Sequence, residues 1–171
     1  IIGVHMTETF VFRAIAFWNE NITLGFSDSQ FREASTLFFS HLMVNISKYD
    51  SDTKILLNST KNDGIIEAPL KYFDMIGFLL RLLVRSDVDA HSTLLAVGKL
   101  HLNAYNVSIE SYLAMLNALH TTFCELFPRD YSLPLRYVFD TIFIHSVLIM
   151  NKHNKRLSEY MSFINQKLDT L

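Results

Sequence analysis

Seven histidines are the side chains of this 171-residue chain best suited to acid–base or metal chemistry near neutral pH. His5, His91 and His153 stand in polar stretches, whereas His41, His101, His120 and His145 stand among apolar residues. A histidine on an apolar helical face is most simply a hydrogen-bonded core residue. As a neutral imidazole it can also offer a lone pair to a metal. His101 is the leading candidate for that second role, because Leu94, Val97 and His101 recur at spacings of three and four and so share one inward helical face. The single cysteine, Cys124, excludes Cys-rich zinc sites and internal disulfides. Placed on a helix flank with no group to lower its pKa, it reads as a half-buried, inert thiol. The chain has no P-loop, no Gly-x-Gly-x-x-Gly, no Gly-x-Ser-x-Gly, no His-Glu-x-x-His and no paired Glu-x-x-His for two irons.

Five glycines, three prolines and the lack of alternating strand patterns predict an all-α fold that positions these groups. A first helix is expected from about Thr7 to Ile22, with Val11, Ile15, Trp18 and Ile22 inward. Ser27 and Gln30 form a capping box for a second, striped by Phe31, Ala34, Phe38 and Leu42. Residues 47–64 are polar and turn-rich and read as a flexible connection. Pro69 suits the first turn of a third helix carrying Phe73, Ile76, Leu80 and Leu83. The His101 helix is expected from Ser92 to about Asn103. Ser108 caps the next, with Tyr112, Leu116, Leu119, Phe123 and Leu126 inward. The last long helix begins near Ser132-Leu133-Pro134, buries Leu135, Val138, Ile142 and Ile149, and extends as a polar tail over 151–171. Met75, Met115 and Met150 read as adaptable core filler.

With half its residues apolar, no repeat and no composition break, residues 1–171 read as a single domain of six to eight helices. Fifteen Lys and Arg against 17 Asp and Glu leave a net charge of −2, so the chain lacks the basic footprint of a nucleic-acid binder. Arg81, Arg85, Asp140 and His145 interrupt the apolar runs, which argues against membrane insertion. One cysteine suits a reducing, cytoplasmic compartment. Four Asn-x-Ser/Thr sequons, at Asn21, Asn45, Asn58 and Asn106, keep secretion open, although a chain rich in these residues produces such triplets by chance.

The run Leu94-Leu95-Ala96-Val97-Gly98-Lys99-Leu100-His101, followed by Val107 and Tyr112, resembles the globin segment that carries the haem-ligating histidine. Trp18 resembles the tryptophan of the first globin helix, Lys71-Tyr72-Phe73-Asp74-Met75-Ile76-Gly77 the middle of the distal helix, and Pro134-Leu135-Arg136-Tyr137-Val138-Phe139 the start of the last helix. The resemblance spans about residues 9–150. It implies haem b, iron protoporphyrin IX, held between the helix of Phe73 and that of His101, with His101 on the iron. Its other ring N–H would meet backbone groups of the Leu94–Val97 turn. By the same resemblance Phe38, Leu56, Tyr72, Phe73, Ile76, Leu94, Val97, Val107, Tyr112 and Leu116 would line the cofactor.

The chain departs from the globin pattern on the distal side. Ala68 stands where the distal histidine is usual, beside Pro69, and neither can hydrogen-bond a bound gas through its side chain, so a largely apolar distal pocket is expected. Tyr72 is the polar side chain placed to reach a ligand or to escape to solvent. The phenylalanine usually wedged against the haem is replaced by Lys54-Ile55-Leu56-Leu57, and His41 reads as core. The implied function is binding of a diatomic gas (oxygen, carbon monoxide or nitric oxide) for transport, or haem-based gas or redox sensing, without a dedicated enzymatic role. Two alternatives stand beside it. One is a haem enzyme for nitric oxide, nitrite or peroxide, which needs a reductant partner. The other is a haem-free globin-like module for protein interaction, such as a homodimer through its long helices.

Overall fold

Local capping and apolar spacing account for most of the elements in the computed structural model, which describes residues 8–23, 25–59, 68–82 and 88–152, with 155, 159, 162 and 166 beyond them. In order these are α1 (Glu8–Trp18), a π-helical turn (Asn19–Thr23), α2 (Asp28–Tyr49), α3 (Ser51–Ser59), α4 (Ala68–Leu82), α5 (Val88–Asn103), α6 (Ile109–Leu126) and α7 (Leu133–Met150). Among the described residues there is no strand, so the fold is all-α.

The α2 start is the capping box expected. The Ser27 amide donates to Gln30 Oε1 at 2.9 Å, and the Gln30 amide donates to Ser27 Oγ at 3.4 Å. Gly25, at φ +75°, makes the turn before it in a conformation that other residues rarely adopt. Ser108 caps α6 by accepting from the Ser111 amide at 3.1 Å. Pro134 occupies the first turn of α7, where its missing N–H costs nothing.

Residues 47–59 are mostly helical where turn-rich chain was expected. α2 continues to Tyr49, and Asp50 then caps α3 with its carboxylate, which accepts from the amides of Asp52 and Thr53 at 3.3 and 3.2 Å and from the Thr53 hydroxyl. Residues 60–64 lie outside the described residues. α5 starts at Val88, four residues before the expected Ser92. α7 stops at Met150 with Asn151 as its C-cap, and of the tail expected to extend it only 151, 152, 155, 159, 162 and 166 are described.

α2 packs on α4 and α6, while α7 packs on α1, α4, α5 and α6. Aromatic rings fill the centre: Trp18 meets Phe73 at 5.3 Å, Phe73 meets Phe38 at 5.3 Å, Phe38 meets Phe123 at 5.5 Å, and Phe123 meets Phe139 at 4.9 Å. α1 is rotated from the expected stripe. It buries Ala14, Phe17 and Trp18 and leaves Val11 and Ile15 half-buried, because Phe17 seats edge-on against Phe123, Phe127 and Phe139.

The 18 residues of α7 are long and apolar enough to cross a membrane by length and composition, with mean hydropathy 1.4. Half of that helix is buried inside the domain, as a core helix would be.

Candidate functional site

α4, α5, α6 and α7 converge on a cavity of about 540 Å³, in the range of small-molecule and cofactor sites. Met75, Phe78 and Leu79 line it from α4, and Leu94, Val97 and His101 from α5. Val107 lines it just before α6, Tyr112 and Met115 from α6, and Phe143, Ser146, Val147 and Met150 from α7. Thr53 of α3 and Tyr72 of α4 complete the inner wall. Asp74, Arg81 and Thr93 are solvent-exposed lining residues.

The expected site divides into two groups. His101, Tyr72, Leu94, Val97, Val107 and Tyr112 meet at this cavity. Phe38, Phe73, Ile76 and Leu116 are not among its lining residues and belong to the buried aromatic and aliphatic core. Phe38 and Phe73 are each 1% exposed, held against one another instead of facing a pocket. The side chains of Leu56 and Ala68, like the structure of Leu83 and Arg85, lie outside the described residues. The three methionines read as filler line the cavity, each half-buried.

His101 reaches the wall because three and four residues separate it from Val97 and Leu94 along α5. Burial holds its imidazole below the ordinary pKa, favouring the neutral ring. Its Nδ1 lies 3.1 Å from the Tyr112 hydroxyl, so the partner is a phenol on α6 and not the expected backbone of the Leu94–Val97 turn. The ring spacing of eleven residues between the two gives no signal of this, since it bridges two helices.

Two further hydroxyl-bearing residues line the cavity. Burial pushes Tyr72 up to about 12, which keeps it a neutral phenol able to donate, and its ring rests on Phe39 at 5.2 Å. Ser146 is 3% exposed and its buried Oγ has no hydrogen-bond partner.

The other apolar-face histidines are accounted for differently. His120 is 4% exposed and bonded at both nitrogens, Nε2 to Asp140 Oδ1 at 2.5 Å and Nδ1 to the Tyr131 hydroxyl. The Asp140 carboxylate can only accept, so Nε2 donates to it, and in the neutral ring Nδ1 is left to accept from the Tyr131 hydroxyl. The group ties α6 to α7 as a satisfied core histidine. His41 is not core: its side chain is 37% exposed, with Nδ1 3.0 Å from Glu125 Oε2. Cys124, expected half-buried, is exposed. Asn45 is fully buried and its Nδ2 donates to Thr122 Oγ1 at 3.0 Å and Glu125 at 2.9 Å, which rules it out as a glycan acceptor in the folded domain. Among the described residues no group of three or more His, Cys, Asp or Glu side chains could hold a metal ion, so a metal here would need a ligand set centred on one histidine.

No family model matches the chain, and no curated protein and no solved structure is significantly similar to it.

Proposed function

We propose that the protein is a globin-type haem domain that binds a diatomic gas, with His101 as the iron ligand. One observation carries this reading: an apolar cavity of cofactor size is lined from α4 and α5, and its wall holds a histidine that burial keeps neutral and whose Nδ1 pairs with the Tyr112 hydroxyl, so that with the proton on Nδ1 the Nε2 lone pair is left for a metal. The residues present fit the group. Aliphatic, methionine and phenylalanine side chains suit the faces of a porphyrin.

When bound, haem supplies an iron that coordinates oxygen, carbon monoxide or nitric oxide reversibly. The chain's own residues do the rest. His101 gives the lone pair, which a desolvated, neutral imidazole keeps available at neutral pH. Met75, Phe78, Leu94 and Val97 line the cavity and would exclude water from a group bound there. Tyr72 lines the wall from α4, the polar side chain expected on an otherwise largely apolar distal side. A phenol held neutral can donate to partial negative charge on a bound gas, which favours a gas-binding or sensing role over a purely structural one.

The test is the visible absorption spectrum of the protein made with haem precursor, as ferric, reduced and carbon-monoxide forms. A stoichiometric Soret band in wild type, lost in His101→Ala while circular dichroism stays helical, is the expected result. A colourless helical wild type overturns the haem reading, and equal haem retention in His101→Ala overturns His101 as ligand.

A further inference from the structure

A second group of proton-transferring side chains joins α6 to α7, and none of its members lines the cavity: Tyr131, His120 and Asp140. Tyr131, at the end of the turn that leaves α6, is fixed by its amide, which donates to the Phe127 carbonyl at 2.9 Å. Its hydroxyl meets His120 Nδ1, and His120 Nε2 donates to Asp140 Oδ1 at 2.5 Å. Arg136, one turn earlier on α7, places Nε 4.0 Å from the other Asp140 oxygen. The phenol ring packs against Phe123 at 5.2 Å, Phe17 at 5.8 Å and Phe139 at 6.3 Å. Tyr112 also meets an imidazole, but among the described residues no carboxylate is bonded to His101.

Burial, and then the nearby Asp140 charge, push the Tyr131 phenol well above its ordinary pKa, so it does not ionise near neutral pH. Such a phenol gives up an electron only if its proton leaves with it, because a phenol cation among phenylalanine rings would be an unpaired buried charge. The acceptor for that proton is already in place. Neutral His120 turns the Nδ1 lone pair to the hydroxyl, and imidazole is the side chain best suited to take a proton and return it near neutrality. We propose that Tyr131 is a redox-active tyrosine that gives one electron to an outer-sphere one-electron oxidant while its phenolic proton passes to His120 Nδ1. The products are a neutral tyrosyl radical and an imidazolium whose Nε2–H bond to Asp140 becomes charge-assisted. Reduction returns an electron to the phenoxyl oxygen and the proton from Nδ1. The three phenylalanine rings keep water from the radical, and the site stores one oxidising equivalent in the fold without needing anything bound in the cavity.

The test uses the protein made without added haem precursor, photogenerated ruthenium(III) tris-bipyridine as the oxidant, transient absorption for the rate and freeze-quench electron paramagnetic resonance for the product. Wild type should give a tyrosyl radical as its main product, formed more slowly in deuterium oxide because the proton moves with the electron. Tyr131→Phe should remove most of that signal. Asp140→Asn keeps the side-chain shape and a neutral acceptor, and should slow radical formation by about tenfold, since a charge-assisted bond is roughly twice as strong as a neutral one. It also reads the proposal should Tyr131→Phe fail to fold, which circular dichroism reports. A merely structural network would shift urea denaturation midpoints in both variants and leave radical yield and rate where they are. An undiminished radical in folded Tyr131→Phe overturns the assignment, as does a wild type that forms no tyrosyl radical. Equal rates in wild type and folded Asp140→Asn with no deuterium effect overturn it as well.

Discussion

Tyr72 and His120 show how one residue type carries different consequences according to what surrounds it. Tyr72 lines the cavity as a neutral phenol, so if haem binds there as proposed Tyr72→Phe should speed oxygen dissociation and autoxidation of the oxygenated form. A lost hydrogen bond of about 1 to 1.5 kcal/mol corresponds to roughly a tenfold change, measurable by stopped flow. An unchanged rate would place the hydroxyl out of reach of the gas. His120 depends instead on two fixed partners. Tyr131→Phe removes the donor to its Nδ1 and should destabilise the fold by about 1–3 kcal/mol in urea denaturation. Glu125 gives a pH signature. Hydrogen bonds from His41 and then Asn45 hold its carboxyl below the ordinary 4.5. A depressed folded-state pKa contributes stability that is complete above the unfolded value and disappears as pH falls through the folded one. Thermal melts from about pH 6 to pH 3 should therefore lose less stability in Glu125→Gln than in wild type. Parallel curves would show that the pair contributes nothing measurable.

At the scale of elements, the decisive contact is between α5 and α7. Gly98 is the place where the two backbones meet, and its added Cβ would overlap backbone atoms of Met150, which cannot move aside as a flexible side-chain end could. Gly98→Ala must push the helices apart, at a cost of about 1–3 kcal/mol for overpacking. Because His101 lies one turn further along α5, the same substitution should also weaken haem retention. A stable Gly98→Ala protein with wild-type spectra would mean that α5 has room to slide. The Gly-Lys-x-His pattern marked this stretch in the sequence, but nothing in the pattern names Met150 as the reason for the glycine. The Asp50 cap was legible too, as an Asp three residues before Thr53, yet the polar composition of 47–64 outweighed it and hid α3. Composition averages over a window, whereas a cap is a property of one residue and two amides.

For the whole molecule, ligand and fold should be coupled. A group that binds only the folded chain adds about 2.7 kcal/mol at a free concentration one hundred times its dissociation constant, and the melting temperature should rise with haem in wild type but not in His101→Ala. Equal shifts in both would point to nonspecific haem uptake on the exposed Phe12, Ile55 or Leu133 surfaces instead of the cavity. The sequence by itself determined the all-α class, the caps at Ser27 and Ser108, the proline start of α7, and the inward position of His101 on α5, because each depends on neighbours within a turn or two of helix. It also selected His101, Leu94, Val97, Tyr72, Val107 and Tyr112, all of which meet at the cavity. The sequence placed Phe38, Phe73, Ile76 and Leu116 on inward stripes, but only the tertiary structure decided that they pack in the core away from the cavity lining. The pairing of Tyr112 with His101, the exposure of Cys124 and the burial of Asn45 were likewise settled there. A 3.6-residue period tells which face of a helix is apolar, but not how that face is rotated against its partners. That rotation is fixed by side chains far apart in sequence, such as Phe38 with Phe123 and Asn45 with Thr122, once they pack.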